Sequence, residues 1–338
     1  MAKISVMGAG GWGLALGKVL ADNGHEVMIW GVHEDSIEDL RTYREHKTKL
    51  PGVLLPESLV FTSDMALAAT KRDLILLVVP SRFIRETVEK MKPYIKENQL
   101  VLDASKGIEA DSCKRISEQI EEILPSATVA VLSGPSHAEE VGRGLSTAVV
   151  IGAESREIAE YLQGLFMNDA FRVYTSSDVI GIELGGSLKN VVALAAGMAD
   201  GLGCGDNTKA ALITRGIAEI SRLGVKMGGR PETFAGLTGM GDLIVTCASM
   251  HSRNRRAGIL IGEGKTMEEA MKEVNMVVEG VYSTKAAVQL ADRYHVSMPI
   301  VREVERILFE GKDPGKALRD LMMRDGRVEN ANLSWKNR

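Results

Sequence analysis

Short runs of consecutive apolar residues alternate with amphipathic stretches through the first half of the chain. Residues 3–7, 26–30, 74–79, 100–103 and 128–132 read as strands. Residues 74–79 are apolar at every position, as a parallel strand covered on both faces should be. Amphipathic stretches such as 82–91 and 112–123 lie between the strands. Repetition of strand, helix and strand predicts a doubly wound α/β domain. Two further β-type runs, 146–151 and 171–174, flank a helix near 155–167 and extend the sheet.

The periodicity changes after about Asp178. From Gly181 onward it is helical, with no convincing strand. This change places a domain boundary there: residues 1–180 form an α/β domain, 181–330 an all-helical domain, and 331–338 a frayed polar tail. One charge stands out in the helical part. Lys189 lies in Glu183-Leu-Gly-Gly-Ser-Leu-Lys-Asn-Val-Val-Ala-Leu, within a helix that is apolar on nearly every face. Such a helix belongs in a core. A buried ammonium must be paired or lose its proton, or else its stem must carry it to the surface. Gly181, Gly185 and Gly186 lie on the preceding turns and clear space beside the lysine side chain.

Composition narrows the field. The chain has 338 residues, 45% hydrophobic and 25% charged, with a net charge of −4. That is ordinary for a globular protein and lacks the basic surface of a nucleic-acid binder. No apolar run approaches the roughly 18 residues of a membrane span, and the start reads as a strand rather than a signal peptide. Three well-separated cysteines point to reduced thiols and a cytoplasmic setting. No histidine or cysteine spacing suits a metal site.

Gly8-Ala-Gly-Gly-Trp-Gly13 matches G-x-G-x-x-G between a strand and a helix, the context that makes it a dinucleotide fingerprint. Gly8 permits the tight turn, Gly10 a close approach to a pyrophosphate, and Gly13 close helix–strand packing. The helix start then faces the phosphates. The second strand runs into Gly31-Val32-His33-Glu34 with no acid directly at its end. That leaves room for a 2′-phosphate, with His33 as a candidate contact. Glu34 can instead hold the ribose of NAD, so both NAD and NADP stay open.

Other segments carry unusual polar residues. Asp103-Ala-Ser-Lys106-Gly107 follows a strand at the end where open α/β sheets bind ligands. Ser133-Gly134-Pro135-Ser136 also follows a strand, and Ser136 with Glu139 reads as a capping box for the next helix. A glycine-rich loop delivers Asp242 into an apolar run, and Ser252-Arg253-Asn254-Arg255-Arg256 clusters three arginines at a helix start. Cations there oppose the helix dipole unless an anion binds. Val278-Glu279 is an acid with apolar flanks, and 203–209 reads as a structural loop.

Taken together, Glu183-Leu-Gly-Gly-Ser-Leu-Lys-Asn-Val, Gly205-Asp-Asn-Thr-Lys-Ala-Ala-Leu-Ile-Thr-Arg-Gly, Gly239-Met-Gly-Asp-Leu, Ser252-Arg-Asn-Arg-Arg, Gly134-Pro-Ser and Val278-Glu-Gly-Val-Tyr resemble the bacterial-type NAD(P)-dependent sn-glycerol-3-phosphate dehydrogenases. The resemblance runs from about Lys3 to Asp313. It implies a Rossmann domain joined to a helical substrate domain, and interconversion of glycerol 3-phosphate and dihydroxyacetone phosphate for phospholipid synthesis. It implies Lys189 as proton acceptor, and Lys106, Gly134, Ser136, Asp242, Ser252, Arg253 and Asn254 as substrate contacts. Gly8, Gly10, Gly11, Trp12, Gly13, His33, Lys106, Ala138, Arg253, Val278 and Glu279 are the implied cofactor contacts. Gly11 stands where relatives often carry Ser or Thr, and His137 where an aromatic is common.

A free lysine, with a pKa of about 10.4, is a poor base at pH 7. Burial and Lys106 would lower that value, and an ionised Asp242 would raise it. Two other readings compete. A hydroxyacid dehydrogenase would use the arginines for a carboxylate. A non-catalytic nucleotide sensor would bind cofactor without turnover and leave Lys189 without a reason to be buried. The apolar helices point weakly to a homodimer.

Overall fold

The structure is a computed structural model that describes residues 1–326, 328 and 329. The expected tail, 331–338, lies outside the described residues. Among the described residues eight strands form one sheet: β1 (Lys3–Met7), β2 (Glu26–Trp30), β3 (Val60–Thr62), β4 (Leu74–Leu77), β5 (Leu100–Asp103), β6 (Thr128–Ser133), β7 (Thr147–Ala153) and β8 (Phe171–Ser176). Their order is β3-β2-β1-β4-β5-β6-β7-β8. All neighbours are parallel except β6 and β7, which pair antiparallel. The sheet is therefore mostly, not wholly, parallel. The chain reverses winding direction between β1 and β4, which makes a crevice at their C-terminal ends.

In β4 the apolar run serves both faces. Leu74 and Leu76 enter one core, and Ile75 and Leu77 enter the other. Each such side chain, fully buried, contributes about 1.5–3 kcal/mol. The strand is two residues shorter than its apolar run, and Pro80, which lacks an N–H, follows closely.

Helices α1 (Gly11–Asp22), α2 (Glu34–Tyr43), α3 (Met65–Ala69), α4 (Ile84–Met91), α5 (Ile116–Ile123), α6 (Ala138–Gly142) and α7 (Arg156–Phe166) accompany the sheet. The expected helix over 112–123 starts only at Ile116. Cys113 has φ 58°, and a bridge between Ile108 and Arg115 holds a turn there instead.

The remaining elements are α8 (Val179–Gly201), α9 (Asp206–Lys226), α10 (Pro231–Ala235), α11 (Asp242–Ala248), α12 (Arg253–Gly262), α13 (Met267–Val274), α14 (Glu279–Arg293), α15 (Pro299–Glu310) and α16 (Pro314–Met322). A π-helical turn, Leu237–Gly241, leads into α11. The Asp178 carboxylate caps α8 by accepting from Gly181 N at 2.9 Å.

Every residue of α8 from Gly181 to Ala199 is buried. By length and composition α8 is long and apolar enough to cross a membrane, so the expectation of no such run is corrected. However, 89% of its most apolar window is buried inside the molecule, as befits the central helix of a helical core. Its glycines admit neighbouring backbone. A Cβ on Gly197 would lie 2.2 Å from Arg255 O, and one on Gly185 would lie 2.6 Å from Thr238 O. Of the glycines before Lys189, Gly185 makes room for the Thr238 backbone, Gly181 for the Asp178 carboxylate and Gly186 for the Ser133 hydroxyl, and none for the lysine side chain as expected.

Candidate active site

The glycine turn between β1 and α1 sits at the crevice. Gly8 has φ +133°, a conformation only glycine adopts without strain. A Cβ on Gly13 would fall 1.9 Å from Gly8 O, whereas one on Gly10 would meet nothing within 4 Å. Gly10 begins α1 without any side-chain cap. The first N–H groups of α1 therefore have no side-chain cap, and Gly10 leaves room beside them, which suits a pyrophosphate. Gly11 lies under the 46–50 turn: a Cβ there would come 2.3 Å from Lys49 O and 3.6 Å from Ala138 Cβ. Its lack of a hydroxyl is thus a packing requirement here. Trp12 donates from Nε1 to Ala104 O at 3.1 Å, tying α1 to the segment after β5.

At the end of β2, His33 is exposed and precedes α2 without capping it. Glu34 accepts hydrogen bonds from Ser63 and Arg41. The Ser63 bond is the largest cause that holds its carboxyl below the ordinary value.

On the other side of the crevice, three charged groups share one buried cluster. Lys189 is 5% exposed and Asp242 1%. The Lys189 ammonium donates to Asp242 Oδ1, and to Thr246 Oγ1 at 2.6 Å. Lys106 donates to Asp242 Oδ2 at 2.7 Å and to Gly134 O at 3.0 Å. Gly134, with φ +143°, turns that carbonyl toward the cluster while packing close to Val149.

Burial pushes the Lys189 pKa down to about 7, against the attraction of Asp242 and with the help of the Lys106 charge. Burial would raise Asp242, yet the Lys106 and Lys189 ammonium groups bring it below its ordinary value. One carboxylate therefore faces two ammonium groups, and the more deeply buried amine loses its proton near neutrality.

The arginine cluster divides its labour. Ser252 caps α12 by accepting from Arg255 N at 3.2 Å. Arg255 is committed to Asp200 at 2.8 Å and to Ala248 O. Burial lowers Arg253, which faces the charges of Glu279 and Glu139, and no hydrogen bond holds its guanidinium among the described residues. Asn254 spends both ends of its amide: it donates to Asn190 Oδ1 at 2.9 Å and accepts from Gly280 N at 2.8 Å. That second bond fixes the start of α14, where buried Val278 precedes Glu279. Glu279 accepts from Ser81 Oγ at 2.6 Å and from Ser81 N at 3.2 Å. Burial raises its carboxyl despite those bonds.

One expectation fails. Ser136 does not cap α6; the helix begins a residue later, His137 occupies the cap position, and no side chain caps it. The Ser136 hydroxyl instead donates to Gly134 O at 3.0 Å.

The structure thus gathers Lys189, Lys106, Asp242 and Gly134 by direct bonds, and it sets Ser136 on the same carbonyl. It also adds Thr246, Asn190 and Ser81, which sequence reasoning missed. Thr246 lies four residues after Asp242 on one helix, a spacing that could have revealed it. Ser81 bonds across 198 positions of sequence, and nothing local could have revealed it.

A glycine-turned nucleotide crevice beside a buried amine titrating near neutrality defines a dinucleotide-dependent oxidoreductase. Residues 3–159 match the family model for the NAD-dependent glycerol-3-phosphate dehydrogenase N-terminus, and 178–319 that for its C-terminus. The chain belongs to the NAD-dependent glycerol-3-phosphate dehydrogenase family. It is 59% identical over 336 residues to glycerol-3-phosphate dehydrogenase [NAD(P)+] of Agathobacter rectalis, covering 99% of this chain and 100% of the relative. Against the same-named protein of Fusobacterium nucleatum it is 56% identical over 331 residues, covering 97% and 99%. The crystal structure of glycerol-3-phosphate dehydrogenase from Coxiella burnetii superposes with a TM-score of 0.92 at 38% identity, covering 96% of this chain and 99% of that one. The chain is an NAD(P)-dependent oxidoreductase that interconverts sn-glycerol 3-phosphate and dihydroxyacetone phosphate.

Proposed function

We propose that Lys189 exchanges the proton of the substrate's C2 oxygen in this reaction. The buried cluster of Lys189, Asp242 and Lys106 carries that reading. The dinucleotide supplies the hydride acceptor in oxidation and the hydride in reduction. As a neutral amine Lys189 takes the C2 hydroxyl proton during oxidation. As ammonium it gives that proton back during reduction. Lys106, held by Gly134 O and Asp242, adds positive charge where an alkoxide develops.

Arg253, a cation at the α12 start that is unbonded among the described residues, holds the substrate phosphate, with Ser252, Asn254, Gly134 and Ser136 shaping the pocket. Gly8, Gly10, Gly11, Trp12, Gly13, His33, Ala138, Val278 and Glu279 line the dinucleotide's side, with Lys106 and Arg253 between the two ligands. Residues 1–180 are the dinucleotide-binding domain and 181–330 the helical substrate domain, and each lends residues to the other's ligand. The product's role is to supply the phospholipid backbone. The enzyme works as a homodimer in the cytoplasm; the free thiols of Cys113, Cys204 and Cys247 fit a reducing compartment.

The phosphate assignment is tested with Arg253→Ala. Removing a charge-assisted fork should raise the KM for dihydroxyacetone phosphate at least about tenfold, from a loss of roughly 1.5–3 kcal/mol. At saturating cofactor, turnover of unphosphorylated dihydroxyacetone should change little. Equal losses on both substrates would remove Arg253 from phosphate binding.

A further inference from the structure

Ser187 lies two residues before Lys189 on α8 and is almost fully buried. Its hydroxyl donates to Gly107 O at 3.0 Å. Gly107 follows Lys106, and Lys106 shares Asp242 with Lys189. These bonds close a ring. It runs from Ser187 along α8 to Lys189, through the Asp242 carboxylate to Lys106, and through Gly107 back to the Ser187 hydroxyl.

The Lys106–Gly107 segment is packed tightly on its Ser81 side: a Cβ on Gly107 would lie 2.3 Å from Ser81 Cβ and 3.5 Å from Glu279 Oε2. Toward α8, Gly186 leaves room beside the Lys106 stem, since even a Cβ there would lie 3.8 Å from Lys106 Cγ. The segment therefore cannot move toward Ser81, and the Ser187 bond stops it from sliding along α8.

We infer that Ser187 is a positioning residue: by anchoring the Gly107 carbonyl it fixes Lys106 on Asp242 and so sets the charge environment of Lys189. The inference rests on Lys189 being the proton-transfer group. The groups that face Lys189 are Asp242 and Cys247 from α11, Lys106 from the segment after β5, and His137 before α6. Of these, Asp242 alone carries negative charge at neutral pH, and Lys106 occupies half of its carboxylate. A Lys106 that drifts away leaves that carboxylate to Lys189 alone. The ammonium is then favoured, and the amine needs a higher pH to lose its proton.

The test is the pH dependence of kcat/KM for glycerol 3-phosphate oxidation in the wild type, Ser187→Ala and Ser187→Cys. The wild-type value should rise with pH as Lys189 deprotonates. In Ser187→Ala that rise should move up by at least about half a pH unit, giving a roughly twofold loss at pH 7 and roughly threefold at pH 6 that disappears at pH 9. The Cys variant, which keeps the volume and a weak donor, should lie closer to the wild type and covers the case in which the Ala variant does not fold. An Ala profile that superimposes on the wild type overturns the inference. So does a loss that is equal at every pH, because a merely structural hydroxyl would act that way. A wild type with no such rise would instead remove Lys189 itself.

Discussion

Replacing Lys189 with Ala lowers kcat by about 10²–10⁴-fold in both directions, the usual worth of a positioned acid–base group. Dinucleotide affinity stays close to wild type, because the glycine turn that would take the pyrophosphate lies on the β1 side and bonds to nothing in the lysine cluster. The effect is large because no neighbour can replace the amine. Lys106 is committed to Asp242 and Gly134 O. Thr246 donates to the Asp242 backbone carbonyl at 2.6 Å and is a far weaker acid. Steady-state rates with saturating substrate, together with cofactor titration by fluorescence, check this. Near-wild-type turnover would remove the lysine from the chemistry.

Asp242→Asn should cost about 3 kcal/mol of stability and shift the pH response of the enzyme. The carboxylate compensates two ammonium groups at once, and losing one partner of a buried pair leaves uncompensated charge. The amide can still accept from one lysine, but it carries no charge. Lys189 then loses its proton even more readily than the value of about 7 found with Asp242 in place. Reduction needs the ammonium, so its rate at neutral pH falls and its pH optimum moves toward acid. Denaturant midpoints measure the first effect, and the pH profile of dihydroxyacetone phosphate reduction measures the second. A profile that stays in place would mean that Asp242 does not govern the amine.

The strands of the sheet were legible because continuous apolar runs survive burial on both faces. β3 was not, since only Val60, Phe61 and Thr62 pair and they sit at the sheet edge. The late start of α5 was hidden because Cys113 takes a positive φ without being glycine or asparagine. In the site, Lys189 announced itself as a lone charge in an apolar helix. The glycines beside it were misread, because sequence cannot say whether a missing side chain leaves open space or admits a packed neighbour. Ser136 was misread because a cap depends on where the helix begins, and one residue of delay transfers the position to His137. Ser81, Ser187 and Asn190 were invisible for a different reason. Each is an ordinary polar residue whose meaning comes from a partner brought close only by folding.

The central claim is that a buried amine, neutral about half the time near pH 7, carries the substrate proton. The most direct test is the pH dependence of kcat/KM in both directions, which reports groups of the enzyme before substrate binds. Oxidation should rise and reduction should fall through one shared midpoint near 7, and both limbs should vanish in the residual activity of Lys189→Ala. A shared midpoint near the free-lysine value of about 10.4, or limbs that persist without the amine, would contradict the account.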